Sequence, residues 1–296
     1  MRTVWIVEQE ADGEVLKNYL RENKGFSRRL LKAMKAEGGK VLVNGLDYPL
    51  SGLVSSGDKV ECILLSEERG HTLLAEPIPL SIKFEDDYLL IVDKLPGMAV
   101  IPSRQHPSGT VANALLAHYD KQGLNSTVHV VTRLDKDTSG LVLVAKNRYI
   151  HSLLSVSQKA GQISRTYEAV VEGHFEEEAS TIDLPIGRKE GSIIERAVNN
   201  EGQEAVTHYK VLRSNNHLSL LSVKLETGRT HQIRVHFSHI GHPLAGDTLY
   251  GGGTEYIKRQ ALHCEHLSFS HPVTGEDLHF SSDLPEDIQL LIREMN

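Results

Sequence analysis

Cysteine is nearly absent: Cys62 and Cys264 are the only two in 296 residues. They form neither a disulfide framework nor a cysteine-based zinc site, a usage that fits a reducing compartment. Long apolar runs are missing too. No stretch approaches the roughly 18 residues of a membrane-spanning helix, and the opening MRTVWIVEQEADGEV has no apolar core behind a basic start. The chain is therefore expected in the cytoplasm and away from membranes. It also lacks a Gly-Lys-Ser/Thr phosphate loop and a Gly-x-Gly-x-x-Gly fingerprint, so nucleotide-driven and dinucleotide-dependent chemistry has no motif to rest on. No internal repeat or low-complexity tract is evident.

What is present suits a large core with a small attached module: 40% hydrophobic residues in a chain longer than one average domain. The net charge of −7 argues against a nucleic-acid partner until it is split by region. Between Lys17 and Lys40, eight cations face two acids, a local balance of +6. The remainder carries 24 cations against 37 acids, or −13. A basic docking module on a mildly acidic body is one reading, and an ordinary solvated helix face is the other.

One stretch organises the rest. Val128 to Lys146 reads VHVVTRLDKDTSGLVLVAK, with a β-type apolar run at Val128, Val130 and Val131 and another from Leu141 to Ala145. The loop between them gathers Arg133, Asp135, Lys136, Asp137, Thr138, Ser139 and Gly140. A carboxylate among cations on a hairpin-like platform favours its ionised form and can serve as a nucleophile. Taken alone, Asp-Lys-Asp-Thr-Ser-Gly is more simply a turn.

The full string Arg133-Leu134-Asp135, Thr138-Ser139-Gly140-Leu141 and Ala145-Lys146 closely resembles the catalytic signature of the RluA-type RNA pseudouridine synthases. In that family the Asp of Arg-Leu-Asp is the nucleophile, a role the resemblance gives to Asp135. Relatives often carry His before this triplet, where this chain has Thr132. FEDDYLLIVDKLPGMAVIPS resembles the family's opening segment, with Asp93-Lys94-Leu95 in place of the commoner Asn-Lys-Pro. Arg165-Thr166-Tyr167 matches a basic-x-Tyr element and assigns Tyr167 to the target base. LETGRTHQIRVHFSHIGHPLAGDTLYGG resembles the third signature, whose Arg, here Arg234, pairs with the catalytic carboxylate. Leu262-His263-Cys264 matches a Leu-His-Ala element, with Leu262 lining the pocket.

The N-terminal part resembles the alpha-L RNA-binding domain of the ribosomal-protein type, through Ser-Arg-Arg-Leu-Leu-Lys and Val-Leu-Val-Asn-Gly ending at Gly45. Val15, Leu16, Tyr19 and Leu20 have helical spacing, as do Leu30, Leu31 and Met34 behind Ser27 as N-cap. Their opposite faces carry Arg21, Arg28, Arg29 and Lys32, which the resemblance gives to RNA phosphates. The expected organisation is an alpha-L module at 1–65, a linker at 66–79 and a catalytic domain at 80–296. The expected fold class is α+β, with a mixed, largely antiparallel sheet. Further along, Thr110 opens a helix bearing Val111, Leu115 and His118, and Thr230 is expected to cap another running through Ile233, Val235 and Phe237 to Ile240, stopped by Gly241.

The implied reaction cleaves the uridine glycosidic bond at nitrogen 1, rotates the base and rejoins it at carbon 5. It needs no cofactor, metal or outside donor. The carboxylate acts at sugar carbon 1 or base carbon 6, and sequence does not choose between them. The target must leave the stack, at a cost of roughly a few kcal/mol. By the same resemblance, Arg133 fills the vacated stack, while Tyr167 packs on the flipped uracil and assists removal of the carbon-5 proton. The expected partner is ribosomal RNA of the large subunit, with tRNA as an alternative, and the protein is expected to act as a monomer.

Three other readings compete: a hydrolase with a His-based metal site, an aspartic protease and a non-catalytic RNA-binding protein. His231, His236, His239 and His242 lie close together, but no Glu stands between the helix-spaced pair as in a zinc protease. An aspartic protease needs a second, similar carboxylate loop, and none exists. A non-catalytic ribosome-binding protein would keep the basic module and leave uridines unchanged.

Overall fold

Two short polar devices start the helices that frame the body. Thr110 and Asn113 form a reciprocal capping box, and Asn147 Oδ1 accepts from the Tyr149 and Ile150 amides. Residues 2–64, 67, 69 and 73–295 are described by the computed structural model.

The first part of the chain contributes β1 (Arg2–Ile6), α1 (Leu16–Asn18), which passes directly into a π-helical turn (Tyr19–Asn23), α2 (Arg28–Ala36), β2 (Lys40–Val43), β3 (Leu46–Asp47) and β4 (Lys59–Ile63). The expected first helix is thus a single α turn followed by a π turn. The second opens where expected, with Ser27 Oγ accepting from the Leu30 amide at 3.0 Å. β1 had no signal beyond Val, Trp and Ile within three residues. It is a half-exposed edge strand of a sheet ordered β1-β4-β2-β3. Asn44 and Gly45 turn between β2 and β3 with φ of 51° and 82°, the paired positive values a tight hairpin demands.

The body contains β5 (Ser81–Glu85), β6 (Leu89–Lys94), α3 (Val111–Lys121), β7 (His129–Val130), β8 (Ser139–Ala145), α4 (Arg148–Lys159), β9 (Ser164–Glu172) and β10 (Ala179–Asp183). It continues through β11 (Ile186–Arg188), β12 (Arg196–Val198), β13 (Val206–Ser214), β14 (Leu218–Leu225), α5 (Gln232–His239), β15 (Leu262–Ser270), β16 (Asp277–Ser281) and α6 (Glu286–Glu294). The large sheet runs β10-β13-β14-β9-β15-β8-β6-β5, with β16 on β15 and β7 on β8. β15 and β8 are parallel and the other named pairs are antiparallel, so the sheet is mixed and largely antiparallel.

β8 is central, and all seven of its residues are buried. Its apolar side chains and those of β6 are removed from water, each contributing roughly 1.5–3 kcal/mol. Gly140 makes the β8–β15 junction possible. Its φ is 108°, and a Cβ there would sit 2.2 Å from the Cys264 carbonyl oxygen.

The first part packs against α4. The Phe26 and Tyr149 rings lie 4.6 Å apart, Tyr149 Oη donates to the Lys24 carbonyl at 3.0 Å, and Arg148 pairs with Glu37 at 2.8 Å. Of the expected linker 66–79, residues 66, 68 and 70–72 lie outside the described residues. The described remainder is bound to the body. Glu67 accepts from the Arg148 amide at 2.8 Å, and Asn113 Nδ2 donates to the Leu74 carbonyl at 2.8 Å.

Candidate active site

The loop from Val131 to Thr138 is fastened at its root before it can present anything. Thr132 is fully buried, and its Oγ1 accepts from the Leu143 amide at 2.9 Å, closing the hairpin between β7 and β8. That bond gives the Thr before Arg-Leu-Asp a physical role in this chain. Lys94, at the end of β6, is buried beneath the loop. Its ammonium donates to the carbonyls of Lys136 (2.8 Å), Leu95 (2.9 Å) and Met98 (2.9 Å). Burial pushes Lys94 down to about 7, partly opposed by the charges of Asp137 and Asp135. Arg259 Nη1 donates to the Asp137 carbonyl at 3.0 Å, and Gln260 Nε2 to Thr138 Oγ1 at 3.2 Å. The loop is therefore tied at Thr132 on one side of Asp135 and at Lys136, Asp137 and Thr138 on the other.

Asp135 points into a cleft of about 1460 Å³ whose walls also include Arg133, Tyr167, Arg234 and Leu262. The structure thus brings together all five residues singled out for the site. Arg234 Nη1 donates to Asp135 Oδ2 at 2.9 Å. The other two guanidinium nitrogens engage Asp247, Nε to Oδ2 at 2.7 Å and Nη2 to Oδ1 at 2.8 Å. Burial alone would weaken the Arg234 cation, but the Asp247 bonds and the Asp135 and Asp247 charges raise it well above its ordinary range. Asp247 is buried and acts as the anchor. The Tyr250 ring lies 5.0 Å from the guanidinium carbon.

Tyr167 is buried on β9, and its hydroxyl accepts from Arg165 Nη1 at 3.2 Å. Burial pushes its phenol far above the ordinary value, with the Arg165 charge opposing. Arg133 is exposed at the cleft and Leu262 is buried at its wall. Arg28, Arg29 and Lys32 are exposed on α2, whereas Arg21 is half-buried.

The start of α5 differs from expectation. Thr230 is exposed at the turn before the helix and does not cap it. The N-cap is His231, in the left-handed region at φ 59°, and it makes no side-chain cap bond. Gln232, the first residue of the helix, instead fastens the turn before it: its Oε1 accepts from the Arg229 amide and from Thr227 Oγ1, both at 2.9 Å. The helix ends at His239, with Ile240 as its C-cap.

The four histidines of this segment diverge. His236 is buried against Thr207 Oγ1 and the Leu184 carbonyl, His242 bonds the Glu172 carbonyl, and His231 faces Asp135 with 3.8 Å between Nε2 and Oδ2. Among the described residues no cluster of three His, Cys, Asp or Glu is placed to hold a metal ion.

Sequence reasoning did not single out Asp247, Tyr250, Arg259 or His231 for this cleft. Asp247 and Tyr250 stand within the third signature segment, but only folding brings them under Arg234. The charged excursion Arg188 to Arg196 forms the β11–β12 hairpin, with Ile193 and Ile194 exposed and Ile194 at the rim of the cleft.

Residues 88–239 match the RNA pseudouridylate synthase family. An uncharacterized RNA pseudouridine synthase of Bacillus subtilis, YjbO, is 50% identical over 272 residues, covering 92% of this chain and 96% of the relative. The ribosomal large subunit pseudouridine synthase D of Pseudomonas aeruginosa is 40% identical over 268 residues, covering 86% of this chain and 83% of that protein. Human RNA pseudouridylate synthase domain containing 1 shares the fold, with a TM-score of 0.58 at 23% identity over 77% of this chain and 97% of that one. This chain belongs to the RNA pseudouridylate synthase family.

Proposed function

We propose that the chain isomerises a uridine of large-subunit ribosomal RNA to pseudouridine, with Asp135 as the nucleophile. The observation that carries this reading is the Asp135–Arg234–Asp247 chain: a solvent-reachable carboxylate oriented by a guanidinium that a second, buried carboxylate immobilises. Pre-oriented charge of this kind supplies catalysis without reorganisation at the moment of reaction. The ribosomal assignment is supported by the name of the Pseudomonas aeruginosa relative.

The flipped uridine would enter beside Asp135 while Arg133 occupies the gap in the stack. Asp135 would act at sugar carbon 1 or base carbon 6, and the freed base would turn to present carbon 5. Tyr167 offers a rigid ring for that base to pack against. Its raised phenol keeps the proton at neutral pH, which favours packing over proton abstraction. The 1–65 segment would act as the alpha-L docking module, using Arg28, Arg29 and Lys32 on phosphates, with the catalytic domain at 80–296.

The test is to incubate purified protein with large-subunit ribosomal RNA from cells lacking it and map uridines that become carbodiimide-reactive. New sites with wild type and none with Asp135→Asn are expected. Activity on tRNA alone would overturn the ribosomal assignment, and full activity of Asp135→Asn would overturn the nucleophile.

A further inference from the structure

We propose that His231 is a positioning residue for the reaction: its Nε2–H, oriented by Tyr250, closes on Asp135 Oδ2 beside Arg234 and leaves Oδ1 as the oxygen that reacts. The inference rests on Asp135 being the nucleophile and adds which of its oxygens is free and what holds the other.

The hydrogen economy around Tyr250 sets the imidazole tautomer. The Arg196 amide donates to Tyr250 Oη at 2.9 Å, so the hydroxyl proton is left for His231 Nδ1, 2.7 Å away. An Nδ1 that accepts leaves the ring proton on Nε2. That nitrogen lies 3.8 Å from Asp135 Oδ2, the same oxygen that Arg234 Nη1 contacts at 2.9 Å. Burial lowers the pKa of His231 below its ordinary 6.5, opposed by Asp135, so the ring is the neutral donor at physiological pH.

Two further features mark the placement as imposed. His231 holds a left-handed backbone at φ 59° and ψ 20°, a conformation that costs a non-glycine residue of order 1 kcal/mol or more. It makes no cap bond in return, so the energy goes into aiming the ring. The separation is too long for a hydrogen bond and suits an unoccupied site, since catalytic contacts commonly tighten only in the substrate complex. Among the described residues Oδ1 has no hydrogen-bond partner, and Asp135 is half-buried at the cleft, so a modest shift toward Nε2 is open to it.

Two substitutions separate the two ends of the ring. His231→Asn keeps a group facing Tyr250 and tolerates the left-handed backbone, but removes the donor aimed at Asp135. His231→Gln restores an N–H at the reach of Nε2. With large-subunit ribosomal RNA as substrate, His231→Asn is expected to lower kcat roughly tenfold to hundredfold, the scale of a lost orienting donor, with KM within about threefold. His231→Gln is expected to recover most of that loss.

Wild-type kcat in His231→Asn, or equal losses in both variants at unchanged melting temperature, overturns the proposal. Should His231→Asn fold poorly, Tyr250→Phe decides instead: it removes the hydroxyl that sets the tautomer, a severalfold fall in kcat is expected, and an unchanged kcat overturns the assignment. Asp135→Asn in the same assay keeps the two readings apart, because its activity would sink the nucleophile and its inactivity would leave His231 to be judged by its own variants.

Discussion

Asp247 grips Arg234 by two of its three guanidinium nitrogens, at 2.7 and 2.8 Å, and so leaves Nη1 directed at Asp135. Replacing Asp247 by Asn keeps the shape but removes a buried counter-charge. Breaking one side of a buried pair costs about 3–5 kcal/mol when the partner is stranded, less here because Asp135 remains. Asp247→Asn is therefore expected to lower the unfolding free energy by roughly 2 kcal/mol and kcat by at least about tenfold, since the guanidinium loses its fixed orientation. Denaturant titration and single-turnover isomerisation check both, and wild-type values in each would show that Arg234 needs no anchor.

Gly140→Ala tests the sheet junction below the catalytic loop. The new methyl would meet Cys264 backbone atoms at 2.2 to 2.8 Å at a φ of 108°. Neither can relax by rotating a side chain. A loss above about 2 kcal/mol is expected, together with weaker β8–β15 pairing. Hydrogen exchange at the His263 and Cys264 amides would register it.

Glu67 ties the described part of the 66–79 segment to α4 and to β7. Burial raises its pKa, but the His129 hydrogen bond and charge, with Arg148, outweigh that and hold it below its ordinary 4.5. A depressed carboxyl stabilises the fold above its unfolded pKa and loses that contribution as pH falls through the folded value. The stability advantage of wild type over Glu67→Gln should therefore be full near about pH 6 and shrink below about pH 4.5. Thermal melts of both proteins from about pH 3 to 7 would show it, and a gap independent of pH would refute the linkage.

The exposed cations of α2 should engage phosphates. Reversing Arg28, Arg29 and Lys32 together to Glu is expected to weaken RNA binding and to flatten its salt dependence, by about 0.7–0.9 in log–log slope for each phosphate no longer engaged. Single-turnover rate at saturating RNA should stay near wild type. An unchanged slope would remove α2 from the RNA-binding surface.

Local rules reached far along this chain. Ser27 and Thr110 cap helices as their side chains imply, and Asn44-Gly45 forms the hairpin turn its dipeptide favours. They failed where contacts beyond the local span decide the backbone. Thr230 is an acceptable cap by type, yet His231 takes the N-cap position without a side-chain bond, and the turn before it is held by Gln232, onto which Arg229 and Thr227 fold back. The segment after Val15 has helical spacing but passes into a π turn. β1 is a strand only because β4 offers an edge to pair with.

Residue order by itself determined the chemistry on offer: an Asp beside Arg and Lys in a turn between two apolar runs, a Tyr on a strand, and an Arg in a helical segment. Those are properties of short spans, where periodicity and turn propensity act without help from the rest of the chain. Tertiary structure alone decided that Asp247 would immobilise Arg234, that Lys94 and Arg259 would hold the loop from below, and that His231 would face Asp135. Each of these joins residues 13 to 122 positions apart. Such pairings depend on how a whole sheet closes, and no local rule encodes them.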